Sequence, residues 1–349
     1  MTLYLRRNRR TMRNFSTTLI GSLPYNDAKK ALDMITDGRI TCPSWPQLPS
    51  LGYSESMYVQ TGEHLPGLRI DNKEKKITVD IQSYDPTEIY EAIITDNVDH
   101  FKHSEKYHKG FYELIDRDLK IYIGIKGQVT GPISEGLQVQ DADGRSVIYD
   151  ESYSEIVRKV VNMTARWQAR ELRKHNDNVM IFFDEPSLSL LGSPFASIST
   201  EDAASWMNES MDVPDCMKGI HCCGNTDWPM VLSTNIDILS FDAYSYAHTL
   251  AMFPEELNEF LERGGTLSWG LVPSSDEGIE IESSDSLVKI FESNIDLMEK
   301  KGIPRRTIAE QSMITPQCGL GGMSPDNVNK AFTLLHEISE KMKRRYGLE

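Results

Sequence analysis

Short apolar runs alternate with longer amphipathic stretches from one end of this sequence to the other, and that alternation leaves few folds open. The short runs are Thr17 to Gly21, Arg39 to Cys42, Leu119 to Ile125, Val179 to Phe183, Lys218 to Cys222, Ile236 to Phe241, Thr266 to Gly270 and Thr307 to Gln311. Between them, apolar residues recur at three- and four-residue spacing in Asp27 to Asp37, Ser152 to His175, Glu201 to Met211, Pro254 to Arg263, Ser284 to Lys300 and Pro325 to Arg345. Strand and helix in strict alternation build a parallel sheet covered by helices. Eight such units in 349 residues predict an α/β protein, a single (β/α)8 TIM barrel over residues 16–349. One stretch interrupts the pattern: Asp71-Asn72-Lys73-Glu74 between two alternating runs reads as a turn, so residues 68–82 are expected to form an inserted β-hairpin.

Residues 1–15 carry Arg6, Arg7, Arg9, Arg10 and Arg13 without an apolar core or a small-residue cleavage site. They read as an Arg-rich extension and not as a secretory signal, and Met12 is an alternative start. No run of eighteen apolar residues occurs, so no membrane span is expected. The formal charge of -15 argues against a polyanionic partner such as nucleic acid. Five cysteines, Cys42, Cys216, Cys222, Cys223 and Cys318, form no regular framework and read as reduced thiols, which makes the cytoplasm the expected location.

His221 and Cys223 end one of the apolar runs. On a strand, residues two apart project to the same face, so the imidazole and this thiol point one way and Cys222 the other. With Cys318 they form a donor set suited to Zn2+, with a position left for a substrate thiol. The plainer alternative is a His and Cys satisfied within the core. What favours the metal is position: in a barrel the reactive groups lie where strands end. Those ends read Ser22, Lys126, Asp184-Glu185-Pro186, His221 with Cys223, Asp242 and Cys318.

Five segments in order, Thr17-Thr18-Leu19-Ile20-Gly21-Ser22-Leu23-Pro24, Gly127-Gln128-Val129-Thr130-Gly131-Pro132, Phe183-Asp184-Glu185-Pro186, His221-Cys222-Cys223-Gly224-Asn225 and Pro316-Gln317-Cys318-Gly319-Leu320, resemble the C-terminal catalytic barrel of cobalamin-independent methionine synthase. They are also similar to the related uroporphyrinogen-decarboxylase-like corrinoid methyltransferases. The resemblance covers almost the whole chain as a short core form. It implies zinc ligands at His221, Cys223 and Cys318, with Asp242 standing where the family has a glutamate, either as a fourth ligand or as an acceptor orienting His221. It also implies that Ser22 and Asp184 hold the amino-acid end of homocysteine.

The sequence departs from that family in three places. Leu51 falls where the family has an acidic residue for the substrate amine, and Glu55 or Glu63 could supply that charge instead. Ile133-Ser134-Glu135-Gly136 has no aromatic residue for a pterin, and Gly270-Leu271-Val272-Pro273-Ser274-Ser275 has no histidine to protonate a departing amine. A methylated corrinoid needs no such acid. The expectation is therefore a zinc methyltransferase that moves a methyl group from methylcobalamin, the cargo of a separate corrinoid protein, to the thiol of homocysteine, forming methionine. The alternatives are transfer to another thiol such as coenzyme M, a metal-free tetrapyrrole decarboxylase on the same barrel, and a non-enzymatic corrinoid- or metal-binding protein.

Overall fold

The computed structural model describes residues 12–349, so the expected Arg-rich extension falls largely on residues 1–11, outside the described residues. Seven parallel strands form one curled sheet: β1 (Ser16–Thr17), β4 (Ile125–Thr130), β5 (Val179–Asp184), β6 (Met217–Cys222), β7 (Ile238–Phe241), β8 (Thr266–Val272) and β9 (Ser312–Pro316). Their order is β1-β9-β8-β7-β6-β5-β4. β2 (Leu68–Asp71) and β3 (Lys76–Val79) pair antiparallel as the expected hairpin. Asp71 Oδ1 accepts the amides of Lys73 and Glu74 and so fixes the turn.

The edges of the sheet, β1 and β4, flank the segment where Arg39 to Cys42 was expected as a strand. No strand forms there. Cys42 N donates to Thr17 O, Lys126 N donates to Pro43 O, and isolated bridges join Ser22 to Gln47 and Ser44 to Lys126. Pro43 and Pro46 lack the N–H that a ladder needs, so the segment bonds to both edges at single points.

Three other strands are displaced from their expected positions. β4 begins at Ile125, where Leu119 to Ile125 was expected to end, because its inward positions are Lys126, Gln128 and Thr130 and disguise a buried strand as polar. Thr307 to Gln311 falls on the helix Arg305–Glu310, which Pro304 precedes, and the strand follows it as β9. The first run contributes only Ser16 and Thr17 to the ladder. The long helices lie where periodicity put them: Ala28–Ile35, Glu151–Leu172, Thr200–Ser210, Pro254–Glu262, Ser284–Lys300 and Pro325–Tyr346. Asp27, Asp150 and Ser199 cap three of them through side-chain oxygens.

Every residue of β4, β5, β8 and β9 is buried, as a sheet covered on both faces requires. Inside the curl, Met12, Cys42, Met180, Phe182, Met217, Ile238 and Met313 form an apolar plug at the end where the strands begin. Met12 thus packs into the fold, and Phe15 N donates to Ser312 O at 2.7 Å. Among the described residues no helix is long and apolar enough to cross a membrane.

Candidate metal centre

Above that plug the inward positions become polar. The strand register places Thr130 beside Asp184, Asp184 beside His221, His221 beside Ser240 and Ser240 beside Ser268, one row across five strands. Side chains in register share a face, so His221 looks into the curl of the sheet among hydroxyls and a carboxyl. Cys223 follows the end of β6 and Cys318 the end of β9. The potential ligand atoms of His221, Cys223 and Cys318 lie within 4.8 Å of one another. Cys222 is buried on the opposite face, where burial pushes its thiol up to about 12.

His221 is held by its strand neighbour. Its Nδ1 lies 3.1 Å from Ser240 Oγ, while Nε2 is buried without a partner. A ring that gives its Nδ1 proton to a hydroxyl presents the Nε2 lone pair to a metal. An orphaned imidazole nitrogen facing two thiols is the donor set zinc takes, so the residues present fit the ion. The Cys318 thiol and His221 hold the Cys223 thiol well below its ordinary value, to about 4, and facing that sulfur pushes Cys318 up.

Asp242 stands beside this group and not in it. Its Oδ1 accepts Ser245 N at 2.9 Å, capping the helix Ala243–Leu250, and also accepts from Gln317 Nε2 at 3.1 Å. Gln317 Oε1 in turn accepts Ser274 N. The acceptor expected to orient His221 is therefore Ser240, and Asp242 steadies the residue before Cys318. Ser240 went unnoticed in the sequence; its signal was a hydroxyl interrupting an apolar run at an inward position.

Ser22 packs against the same loop. Its Oγ accepts Gly321 N at 3.3 Å and its carbonyl accepts Leu320 N. A Cβ on Gly319 would meet Ser22 Oγ at 2.1 Å, so only glycine lets the loop approach this closely. Asp184 is buried with Oδ1 unpartnered. Burial raises its carboxyl to about 6 against the pull of Lys126 and His221. Lys126 was counted among the strand ends, but it lies near the start of β4, where Nζ donates to Ile20 O at 2.6 Å and to Gln128 Oε1 at 3.0 Å.

Of the acids expected to replace a charge at Leu51, Glu63 lies elsewhere. It joins His103 and His108 in a second group of potential ligands. The two rings stack at 3.8 Å with 14° between their planes, so their in-plane lone pairs run side by side and do not converge. Trp45 Nε1 donates to Gln168 Oε1, which turns Gln168 Nε2 toward His103 Nε2 at 2.8 Å. That ring must then accept at Nε2 and carry its proton on Nδ1, 3.8 Å from Glu63 Oε1. Glu63 accepts Ser104 N and His108 Nδ1 lies 3.2 Å from Ser104 O, while His103 Nδ1 and His108 Nε2 are buried without a partner. Glu55 is buried, with Oε2 accepting from Gln60 and burial raising it to about 7.

A surface cavity of about 870 Å³ opens away from the centre, by Lys218 and Asn235 at the starts of β6 and β7. Its cations are spoken for: Lys159 pairs with Glu209, Arg166 with Asp96 and Lys218 with Asp237.

No protein-family model matches the chain, and no curated protein matches it by sequence. Solved structures do. A B12-independent methionine synthase from Shewanella sp., in complex with selenomethionine, superposes with a TM-score of 0.60 at 13% identity, covering 95% of this chain and 98% of its own. A methyltransferase from Methanosarcina mazei gives 0.54 at 13%, covering 95% and 97%. A putative vitamin-B12 independent methionine synthase from Listeria monocytogenes gives 0.51 at 12%, covering 98% and 89%. The likeness is one of fold.

Proposed function

We propose that this protein is a zinc-dependent methyltransferase acting on a thiol, with homocysteine as acceptor and a methylated corrinoid, presented by a partner protein, as donor. The observation that carries the reading is the orphaned His221 Nε2 facing Cys223 and Cys318. These three residues would hold the ion, and the sheet would close as an eight-stranded barrel around them through the segment at Pro43 to Gln47. Bound there, zinc supplies Lewis acidity that makes an acceptor thiol a thiolate at neutral pH.

The chain's own residues do the rest. Ser240 fixes the ring of His221 and keeps Nε2 free of its proton. Asp242, through Gln317, and Ser22, through the Gly319 to Gly321 turn, place the Cys318 thiol opposite it. Asp184, buried with an unpartnered oxygen, faces the acceptor from the neighbouring strand. No residue at Ile133 to Gly136 or Leu271 to Ser275 offers an aromatic platform or a histidine acid, which favours a donor whose leaving group needs no proton.

The test is to incubate the zinc-loaded protein with homocysteine and either methylcobalamin or methyltetrahydrofolate, and to repeat with coenzyme M as acceptor. Methionine formed from methylcobalamin and lost in Cys318→Ala is the expected result. Transfer to coenzyme M alone would change the acceptor. No transfer to any thiol would refute the reading.

A further inference from the structure

Among the buried polar atoms without partners, one group gathers near the end of β4. Besides His221 Nε2 and Asp184 Oδ1, it includes Thr130 Oγ1, Tyr53 OH and both carboxyl oxygens of Glu135. Thr130 ends β4 in register with Asp184, and Glu135 lies in the first turn of the helix Pro132–Gln138 that follows. Tyr53 belongs to the segment that leads into the helix Met57–Gly62. That helix is tied to the end of β4 by Thr130 N donating to Thr61 Oγ1 at 2.8 Å.

Glu135 is 1% exposed, and its carboxyl points at Gly62, where a Cβ would stand 2.6 Å from Oε1. Its neighbour Glu185 is satisfied, accepting Ile133 N, Ser134 N and Ser134 Oγ. Glu135 has only the nearby Thr130 hydroxyl, and no bond of good geometry. The groups that act on it are Glu185 and Thr130, and no lysine, arginine or histidine is among them. Tyr58, on the same helix as Gly62, feels the charges of Glu135, Glu185 and Cys223 together, which puts the carboxyl within electrostatic reach of the thiol centre.

Buried polar atoms in folded proteins are almost always paired, so a cluster of orphans marks a place for a polar occupant. This cluster is made of carboxyl and hydroxyl oxygens. A compact group with several N–H donors and a positive charge matches it, and a primary ammonium is such a group.

We propose that Glu135 recognises the ammonium end of the acceptor, with Tyr53 and Thr130 as flanking acceptors. The proposal rests on the thiol methyl-transfer reading. It makes Glu135 a specificity residue that touches substrate but takes no part in breaking or forming the methyl bond. With no cation bound, burial and Glu185 favour the protonated carboxyl, so ammonium binding at Glu135 releases a proton.

The test is calorimetric titration of the zinc-loaded full chain with homocysteine and with 4-mercaptobutanoate, which keeps the thiol and carboxylate but lacks the amine. A charge-assisted contact of this kind implies a preference for homocysteine of about 10- to 100-fold. Glu135→Gln and Glu135→Leu should both erase that preference while binding 4-mercaptobutanoate and zinc as the parent does. Both thiols lose the S–H proton on zinc, so homocysteine should release one proton more than 4-mercaptobutanoate in titrations run in buffers of different ionisation enthalpy, and that excess should vanish in both variants. Retained binding of zinc and of 4-mercaptobutanoate by both variants separates loss of the ammonium contact from a disturbed fold. A preference that survives in both variants overturns the role of Glu135 and leaves thiol transfer standing. A zinc-loaded parent that binds neither thiol overturns both.

Discussion

Ser240→Ala removes one hydroxyl from the wall of the metal centre, and its effect follows from where the proton on His221 must sit. In the metal-bound state Nε2 gives its lone pair to zinc, so Nδ1 keeps the hydrogen and donates it to Ser240 Oγ, 3.1 Å away and fully buried. With alanine that N–H has no partner. In the metal-free state the imidazole can carry its proton on Nε2 instead, so the penalty falls on the bound state. A buried unpaired donor costs about 1 to 3 kcal/mol, which is roughly a 5- to 150-fold loss of zinc affinity and agrees with the 10- to 100-fold typical of such supports. The assay is competition with a chromophoric chelator. Ser268→Ala is the control: its hydroxyl is buried on the adjoining strand, in register with Ser240 and without a partner, so its removal should leave the affinity unchanged. Equal affinities in the parent and Ser240→Ala would refute the reasoning that Ser240 sets the ring.

Two further outcomes are expected. His103 is fully buried and burial holds its proton affinity well below the ordinary value. The unfolded chain therefore takes up a proton near pH 6.5 that the folded chain refuses. The stability His103 contributes is complete above that pH and falls as pH drops below it. Carboxyls raised by burial, such as Glu55 and Glu185, act in the opposite direction, so the readout is a difference between proteins. Between about pH 7.5 and 5.5, His103→Gln should lose about 1.4 kcal/mol less unfolding free energy in urea than the parent, and identical losses would show that His103 is charged in the fold. Gln317→Leu frees Asp242 and Ser274 from their shared partner, so zinc should leave faster by stopped-flow chelation while far-ultraviolet dichroism stays unchanged. An unaltered rate would mean that Ser22 and the glycine turn alone hold Cys318.

The long helices were legible because each buries one stripe and four of the six start at a capping side chain, as Asp150 does before Glu151–Leu172. Strands were harder to read wherever their inward face serves the site. β4 reads as polar because Lys126, Gln128 and Thr130 point into the curl, where Lys126 and Gln128 bond to each other and to the carbonyls of Ile20 and Trp45, and the apolar run before it proved to be turns with Ile121 and Ile123 exposed. The three metal-ligand candidates could be found from spacing and strand ends. Ser240, Glu135 and the link from Asp242 through Gln317 to Cys318 could not, because each depends on which strands lie side by side and on what stays unpaired once they do. Leu51 looked like a lost charge in one dimension, whereas the fold supplies an unpartnered carboxyl from Glu135, on another element.

The central claim is that His221, Cys223 and Cys318 hold zinc and leave a place for a substrate sulfur. X-ray absorption at the zinc edge, before and after adding homocysteine, tests it directly. The account predicts one zinc per chain bound by two sulfurs and lighter atoms, rising to three sulfurs with the thiol present. Zinc that binds elsewhere, or a sulfur count that does not change when the thiol is added, would contradict it.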